Sequence, residues 1–267
     1  MRTFTCLLLF CSAALLLFGT GASGAGRPLT LVALGDSIPY GQDCGGCTGY
    51  VTLYGRAVRH ALGKPVRVDN LAEHNNLGST QLLAQVRHSA SMRAVLRRAD
   101  IVTLTIGHND TPWASGTDPC DGHYSDTVDD DKLDWENYTG PCLAPTAATL
   151  KANVVGILAE IKRLRAGRRT VIRVTNFHND HFDDPTDLPE TYEPSRTVSN
   201  ALNAAICEAA SQARVPCADA YHAFNGPDGT RYDGPYIAAD HVHPNQKGHA
   251  LYAALLEKLG YAPLRRS

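Results

Sequence analysis

Apolar and polar positions alternate along this chain in blocks that predict strands and helices in turn. Short, near-continuous apolar runs are typical of strands buried on both faces of a parallel sheet, and apolar residues three and four apart are typical of helices. The predicted strands are residues 29–34, 66–72, 99–106, 168–177 and 216–220, and the predicted helices are residues 50–62, 79–87, 150–165, 194–214 and 246–259. Ser79 could act as the N-cap of the second helix.

Five strand–helix alternations predict a doubly wound α/β fold. We expect a single-domain, three-layer α/β/α sandwich with a five-stranded parallel sheet, as in flavodoxin-like folds. The pattern is interrupted only by a polar, turn-rich stretch at residues 109–145. Long loops inside compact domains are usually functional or covalently stapled.

The first 25 residues have the features of a secretory signal peptide. Arg2 supplies positive charge, residues 7–18 form an apolar core, and small residues at 22–25 suit a cleavage site. The apolar run is shorter than the ~20 residues of a spanning helix, and no later segment is expected to cross a bilayer. We therefore expect a secreted, extracellular protein with its domain at residues 26–267, without stable membrane insertion.

Six cysteines remain after the signal peptide, and an even number in an exported chain predicts disulfides. Fifteen pairings are open. The pairing that closes only local loops is Cys44–Cys47, Cys120–Cys142 and Cys207–Cys217. A redox motif or half of a zinc site is the alternative at 44–47, but no second Cys-x-x-Cys completes a zinc site.

Composition and net charge limit the kinds of molecule that this protein is expected to bind. The chain is 43% hydrophobic and 19% charged, which is ordinary for a globular domain, and its formal net charge is −2. This balance argues against a nucleic-acid partner or a polybasic membrane role.

The first predicted strand ends in Gly35-Asp36-Ser37. The glycine allows a sharp turn, so Ser37 follows the carboxyl end of a strand, where open α/β sheets build ligand sites. Gly-Asp-Ser is also an ordinary turn sequence. A catalytic serine needs a base that takes its proton.

The best base is His243, three residues after Asp240 on a loop before the last helix. The carboxylate could hold one ring nitrogen and leave the other to face Ser37. His241 competes, but its adjacency to Asp240 directs it elsewhere. A surface turn capped by Asp240 is the alternative.

Acyl transfer also needs donors to an oxyanion. Gly78 follows the second strand, and Gly107 and Asn109 follow the third. Each segment alone also fits a plain loop turn.

These four blocks, in this order, resemble the GDSL-type esterases and lipases, also called SGNH hydrolases, from residue 31 to about 259. The paired cysteines and the export signal make the chain similar to secreted actinobacterial members. The resemblance implies a nucleophile at Ser37, a base at His243 and an orienting carboxylate at Asp240. It implies oxyanion donors at the Ser37 and Gly78 amides and the Asn109 side chain, and a cofactor-free ester hydrolase.

The substrate is open: a small-molecule, lipid or carbohydrate ester. The 111–141 loop carries Trp113, Tyr124, Trp135 and Tyr138, which could bind sugar rings or acyl chains or simply pack. A deacetylase of acetylated polysaccharides and a non-catalytic carbohydrate-binding protein are the alternatives. We expect a monomer without a metal. A metal site at residues 178–184 and a calcium site at 129–131 are weaker hypotheses than hydrated loops.

Overall fold

Five parallel strands form the centre of the protein. The computed structural model describes residues 27–114, 120, 137–182 and 189–264. The strands are β1 (Leu29–Gly35), β2 (Val66–Asn70), β3 (Ile101–Thr105), β4 (Val171–Thr175) and β5 (Cys217–Ala218), in the spatial order β2-β1-β3-β4-β5. All residues of β1, β3 and β4 are buried, as near-continuous apolar runs require. The predicted parallel five-stranded sheet is confirmed.

Helices cover both faces of the sheet and complete the three layers. They are α1 (Ser37–Tyr40), α2 (Tyr50–Leu62), α3 (Ser79–His88), α4 (Ala90–Leu96), α5 (Gly140–Leu164), α6 (Pro189–Gln212), α7 (Ala220–Asn225) and α8 (Gln246–Lys258). Helix α2 packs on α8, whereas α5 packs on both α3 and α6. The strand order reverses beside β1, and the carboxyl ends of β1 and β3 therefore flank a topological switch point.

Helix α5 differs most from its prediction, because it begins at Gly140 rather than at residue 150. Its early residues include Pro145, which lacks an N–H and favours a loop in a sequence pattern. The helix is also long and apolar enough to cross a membrane by length and composition, contrary to the expectation for this segment. It is a core helix here, since Leu150, Val154 and Ile157 on its stripe are fully buried in the domain.

Several local predictions are wrong in detail. Gly78, not Ser79, is the N-cap of α3, and the N-cap residue itself offers no side-chain acceptor to the helix. The short helices α1, α4 and α7 were not predicted, because each is too short for a periodic apolar stripe. Helix α6 begins five residues early, at Pro189, and several strands are shorter than the apolar runs that predict them.

Three disulfides are present, and they join the sequential pairs Cys44–Cys47, Cys120–Cys142 and Cys207–Cys217. The 120–142 bridge attaches the long polar segment to the start of α5. The signal peptide, the 129–131 acidic run, Tyr124 and Trp135 lie outside the described residues. Trp113 and Tyr138 are described, and their rings pack together with centroids 5.6 Å apart.

Candidate active site

The turn between β1 and α1 places Ser37 at the carboxyl edge of the sheet. Gly35 adopts φ +141°, and a Cβ there would lie 1.7 Å from the carbonyl oxygen of Thr105 on β3. Only glycine therefore fits this close crossing. Ser37 is the first residue of α1 and is 7% exposed.

Asp36 is the N-cap of α1, and its Oδ1 accepts the Ile38 N–H at 3.1 Å. Its other carboxylate oxygen is buried and has no hydrogen-bond partner. Burial raises the pKa of Asp36 to about 7, against the opposing influence of nearby His108. The aspartate next to Ser37 is therefore partly protonated near neutral pH, which suits a capping role rather than a fixed negative charge.

Two backbone amides at this edge are available as donors. Within the described part of the chain, neither the Ser37 N–H nor the Gly78 N–H donates a hydrogen bond. The Asn109 side chain donates to the Leu77 carbonyl at 3.2 Å and so lies against the Gly78 turn. A Cβ on Gly78 would lie 3.6 Å from the Asn109 carbonyl oxygen. The structure thus brings together the predicted second and third oxyanion donors.

Asp110 joins the loop after β3 to the start of α3 by hydrogen bonds, a role that the sequence did not predict. Its carboxylate accepts the Ser79 N–H at 2.9 Å and the Ser79 hydroxyl at 2.5 Å. Asn153 on α5 donates to the same hydroxyl at 2.9 Å. Burial raises the pKa of Asp110, and the bonds from Ser79 oppose that shift. The residue after Asn109 therefore holds the start of α3 against the β3 loop.

Asp240 and His243 form a tight local pair. His243 Nδ1 lies 2.5 Å from Asp240 Oδ2, and Asp240 Oδ1 accepts the backbone N–H groups of His243 and Val242 at 3.0 and 3.2 Å. Burial alone would raise the pKa of Asp240, but the hydrogen bonds from His243 and the backbone lower it. The carboxylate is thus charged and already committed to Nδ1, which leaves Nε2 as the free ring nitrogen of His243.

No hydrogen bond joins Ser37, at the start of α1, to His243, on the loop before α8, in the described part of the chain. The loop that follows α1 lies beside the histidine, since Asp43 Oδ2 is 3.8 Å from His243 Nδ1. Asp43 adopts φ +51° immediately before the Cys44–Cys47 bridge. Nothing in the sequence pattern singles out this second carboxylate.

Two further histidines line this edge. His178 is fully buried, donates from Nε2 to the Val242 carbonyl at 2.9 Å and accepts the Tyr252 hydroxyl at 3.1 Å. Burial lowers its pKa to about 4, so it is neutral. His108 Nε2 lies 3.3 Å from Asp180 Oδ1. Burial lowers the pKa of His108, but Asp180 outweighs that effect and raises it to about 8.

The hydrogen bonds of His178 and Asp180 weaken the hypothesis of a metal site at residues 178–184. His178 supports the loop that carries His243, and Asp180 pairs with His108, so both have structural partners. Asp183 and Asp184 lie outside the described residues. Among the described residues, a set able to converge on a cation is instead Asp43, Asp240 and His243. A cation there would displace the proton that His243 shares with Asp240.

The fold and this edge define an SGNH-type α/β hydrolase. The sequence model of the GDSL-like lipase/acylhydrolase family matches residues 33–251. The chain belongs to that family, and it is a carboxylic ester hydrolase acting on small-molecule esters.

Individual relatives are distant but match over nearly their whole length. A spore germination lipase, LipC, of Bacillus licheniformis is 22% identical over 239 residues, which is 88% of this chain and 98% of that protein. The lipase Lip_vut3 from a goat rumen metagenome superposes with a TM-score of 0.68 at 21% identity, over 89% of this chain and all of that one. The acetylxylan esterase Axe2 of Geobacillus stearothermophilus gives a TM-score of 0.57 at 21% identity, over 91% of this chain and 99% of that one. These likenesses support the fold.

Proposed function

We propose that this protein is a secreted serine esterase that works through an acyl-enzyme on Ser37. The observation that carries the proposal is the Asp240–His243 pair, which occupies Nδ1 of the histidine. The pair lies on a loop that contacts His178, just after β4, and Asp43, six residues after Ser37. Aspartate on Nδ1 keeps the proton there and leaves Nε2 basic, which is the arrangement a serine nucleophile requires.

In the acylation step, Ser37 Oγ attacks the ester carbonyl carbon and its proton passes to His243 Nε2. The carbonyl oxygen becomes an oxyanion that accepts hydrogen bonds from the Ser37 and Gly78 amides and from Asn109. Collapse expels the alcohol, which takes the proton from His243, and leaves an ester on Ser37. Water, deprotonated by His243, then attacks this ester, releases the carboxylic acid and restores the serine.

The absence of a Ser37–His243 bond is compatible with this sequence of steps. Catalytic hydrogen bonds are often long without substrate and tighten in the reacting complex. Rotation about the Cα–Cβ bond of Ser37 moves Oγ without moving the backbone. Membership of an acylhydrolase family argues against the non-catalytic carbohydrate-binding alternative.

Export is the second part of the proposal. The three disulfides support it, because such bridges persist in oxidising compartments. Expression of the full chain, with the N-terminus of the protein recovered from the medium sequenced, tests it. Cleavage near residue 25 supports export, and intact protein retained in the cell contradicts it.

Deacetylation of acetylated sugars is the second candidate, and a specific pocket favours it. The segment after β4, helix α6 and the segment after α7 line a cavity of about 520 Å³, to which the rings of Phe182, Tyr192 and Tyr232 contribute. The first two rings stack with centroids 4.8 Å apart, and Tyr232 is 59% exposed. Flat aromatic faces beside polar groups suit a pyranose ring as well as an acyl chain.

Labelling with a fluorophosphonate probe tests the nucleophile directly. We expect the label on Ser37 alone, and a loss of nitrophenyl acetate hydrolysis of roughly 10⁴-fold or more in Ser37→Ala and His243→Ala. Unchanged rates in Ser37→Ala would refute the mechanism. Hydrolysis of nitrophenyl esters from acetyl to palmitoyl and of acetylated xylan by the native protein then separates short-acyl, lipid and sugar esters.

A further inference from the structure

The amino-terminal edge of the sheet, opposite the active site, carries a strongly cationic cavity. Its volume is about 540 Å³, and six arginines line it: Arg27, Arg67, Arg97, Arg98, Arg165 and Arg168. A second cavity of about 380 Å³ shares three of these side chains and adds Lys64 and Arg169. We call these two connected hollows the arginine cavity.

Parallel topology assembles this cavity from distant parts of the sequence. Arg27 precedes β1, Arg67 lies at the start of β2, Arg97 and Arg98 precede β3, and Arg165 and Arg168 precede β4. Parallel strands all begin at one edge, so the segments that enter them meet there. The segment before β1 and the three crossovers that lead into β2, β3 and β4 therefore each deliver at least one guanidinium to the same edge.

Carboxylates neutralise only two of these six charges. Arg27 holds Asp100 with two hydrogen bonds of 2.6 and 2.9 Å, and Asp100 also accepts the Thr30 N–H at 2.9 Å. Arg67 pairs with Asp69 at 2.9 Å. The remaining four arginines have no carboxylate partner among the described residues, in a chain whose formal net charge is −2.

Arg165 is the buried member of the four arginines that have no ion-pair partner among the described residues. It is 5% exposed, and its hydrogen bonds go to neutral acceptors, Thr170 Oγ1 at 2.9 Å and the Arg97 carbonyl. Burial lowers its pKa, the charge of Asp100 opposes that shift, and the charges of Arg168 and Arg27 lower the pKa further. The guanidinium of arginine stays charged in proteins, and among the described residues no carboxylate lies within ion-pair distance of that of Arg165.

We propose that the arginine cavity binds a phosphate-bearing anion. A guanidinium presents a planar fork of donors that matches two phosphate oxygens, and several guanidinia can share the oxygens of one phosphate group. A doubly charged phosphate also offsets the uncompensated charge better than a single carboxylate does. The same chemistry is offered by free inorganic phosphates and by the headgroups of anionic phospholipids.

This site is separate from the ester-hydrolysing one. The seven residues of β1 lie between the two edges, which at ~3.3 Å per residue separates them by roughly 20 Å. A phosphate in the arginine cavity cannot contact an ester at Ser37. Ligand binding there would locate or retain the enzyme rather than take part in the reaction.

The test compares two charge-reversed double variants of the whole protein. Arg98→Glu/Arg168→Glu removes two exposed cavity charges, and Arg56→Glu/Arg87→Glu makes the same change in net charge on exposed helical surface outside the cavity. Binding of pyrophosphate is measured by titration calorimetry. Co-sedimentation with vesicles of phosphatidylcholine, with and without phosphatidylglycerol, identifies the source of the phosphate.

We expect saturable pyrophosphate binding by the native protein, at least tenfold weaker binding by the cavity variant, and less than a twofold change in the matched control. Nitrophenyl acetate hydrolysis should be unchanged in both variants. Co-sedimentation only with phosphatidylglycerol vesicles, lost in the cavity variant, assigns the lipid headgroup; pyrophosphate binding without it assigns a soluble phosphate. Absence of binding to either, or an equal loss in both variants, overturns the proposal.

Discussion

Two histidine–aspartate pairs stand at the same edge of the sheet and are built in opposite ways. In the first, Asp240 holds Nδ1 of His243 at 2.5 Å, and the pair is local, three residues apart. In the second, Asp180 holds Nε2 of His108 at 3.3 Å, and the partners are 72 residues apart. Which ring nitrogen the carboxylate binds decides the chemistry, because the bound nitrogen is removed from proton transfer.

The two pairs therefore differ in function. In the proposed mechanism, His243 exchanges a proton with Ser37 through Nε2, because Asp240 binds only Nδ1. His108 Nε2 is bound to Asp180 between the β3 and β4 loops, and His108 is the neighbour in sequence of Asn109, the proposed oxyanion donor. We interpret it as a positioning residue. A histidine beside a carboxylate at an active-site edge is thus not by itself evidence of a base.

The largest difference in activity between the two pairs should follow from replacing each aspartate by asparagine. Asp240→Asn keeps the shape of the side chain, but its amide can donate to Nδ1 and so favour the tautomer that carries its proton on Nε2. That tautomer cannot accept the serine proton, and we expect kcat/KM to fall by roughly 10³-fold. Asp180→Asn is the matched control and should cost about tenfold or less. Steady-state hydrolysis of nitrophenyl acetate measures both. A loss below fivefold in Asp240→Asn would mean that another group orients His243.

The His108–Asp180 pair should make the free energy of unfolding depend on pH. The pKa of His108 rises from 6.5 to about 8 in the folded protein, so its contribution is fully present below pH 6.5 and is lost as pH rises through about 8. The shift corresponds to about 2 kcal/mol. Asp180 contributes in the opposite range, since its pKa is lowered and its stabilisation is lost only as pH falls.

Urea unfolding of native protein and His108→Gln from pH 6 to pH 9 measures this effect. We expect the difference in unfolding free energy between the two proteins to shrink over that range. A difference that is constant with pH would show that the His108–Asp180 contact does not depend on a charged imidazole.

The smallest effect should come from Asp43, the second carboxylate beside His243. It is 54% exposed and 3.8 Å from Nδ1, so its attraction for the imidazolium formed during catalysis is screened by water and salt. We expect Asp43→Asn to lower kcat/KM about two- to threefold at low ionic strength and not measurably at high salt. A loss as large as that of Asp240→Asn would show that the two carboxylates share the orienting role.

Much of the fold was predictable because its signals are local. The apolar runs of β1 and β3 and the apolar stripe of α5 identify their elements directly. The sequence did not predict the start of α5, because Pro145 and its polar neighbours are typical of a loop. The bonds of Asp110 to Ser79 and of Asp180 to His108 could not be predicted, because the partners lie 31 and 72 residues apart in sequence; the sequence pattern instead places Asp180 in the hypothetical metal site at residues 178–184.

The sequence by itself determined the features that depend on neighbours a few residues apart. These are the glycine turn before Ser37 and the placement of Asp240 three residues before His243, whereas the sequence left the pairing of Cys44 and Cys47 open among several. The tertiary structure alone decided which segments meet. The strand order β2-β1-β3-β4-β5 brings Gly78 to Asn109 at one edge and four separate arginine segments to the other. The physical reason is that all parallel strands begin at one edge of the sheet and end at the other, so the segments before them meet at one edge and the segments after them meet at the opposite one. The sequence pattern predicts each strand but not which strands are neighbours.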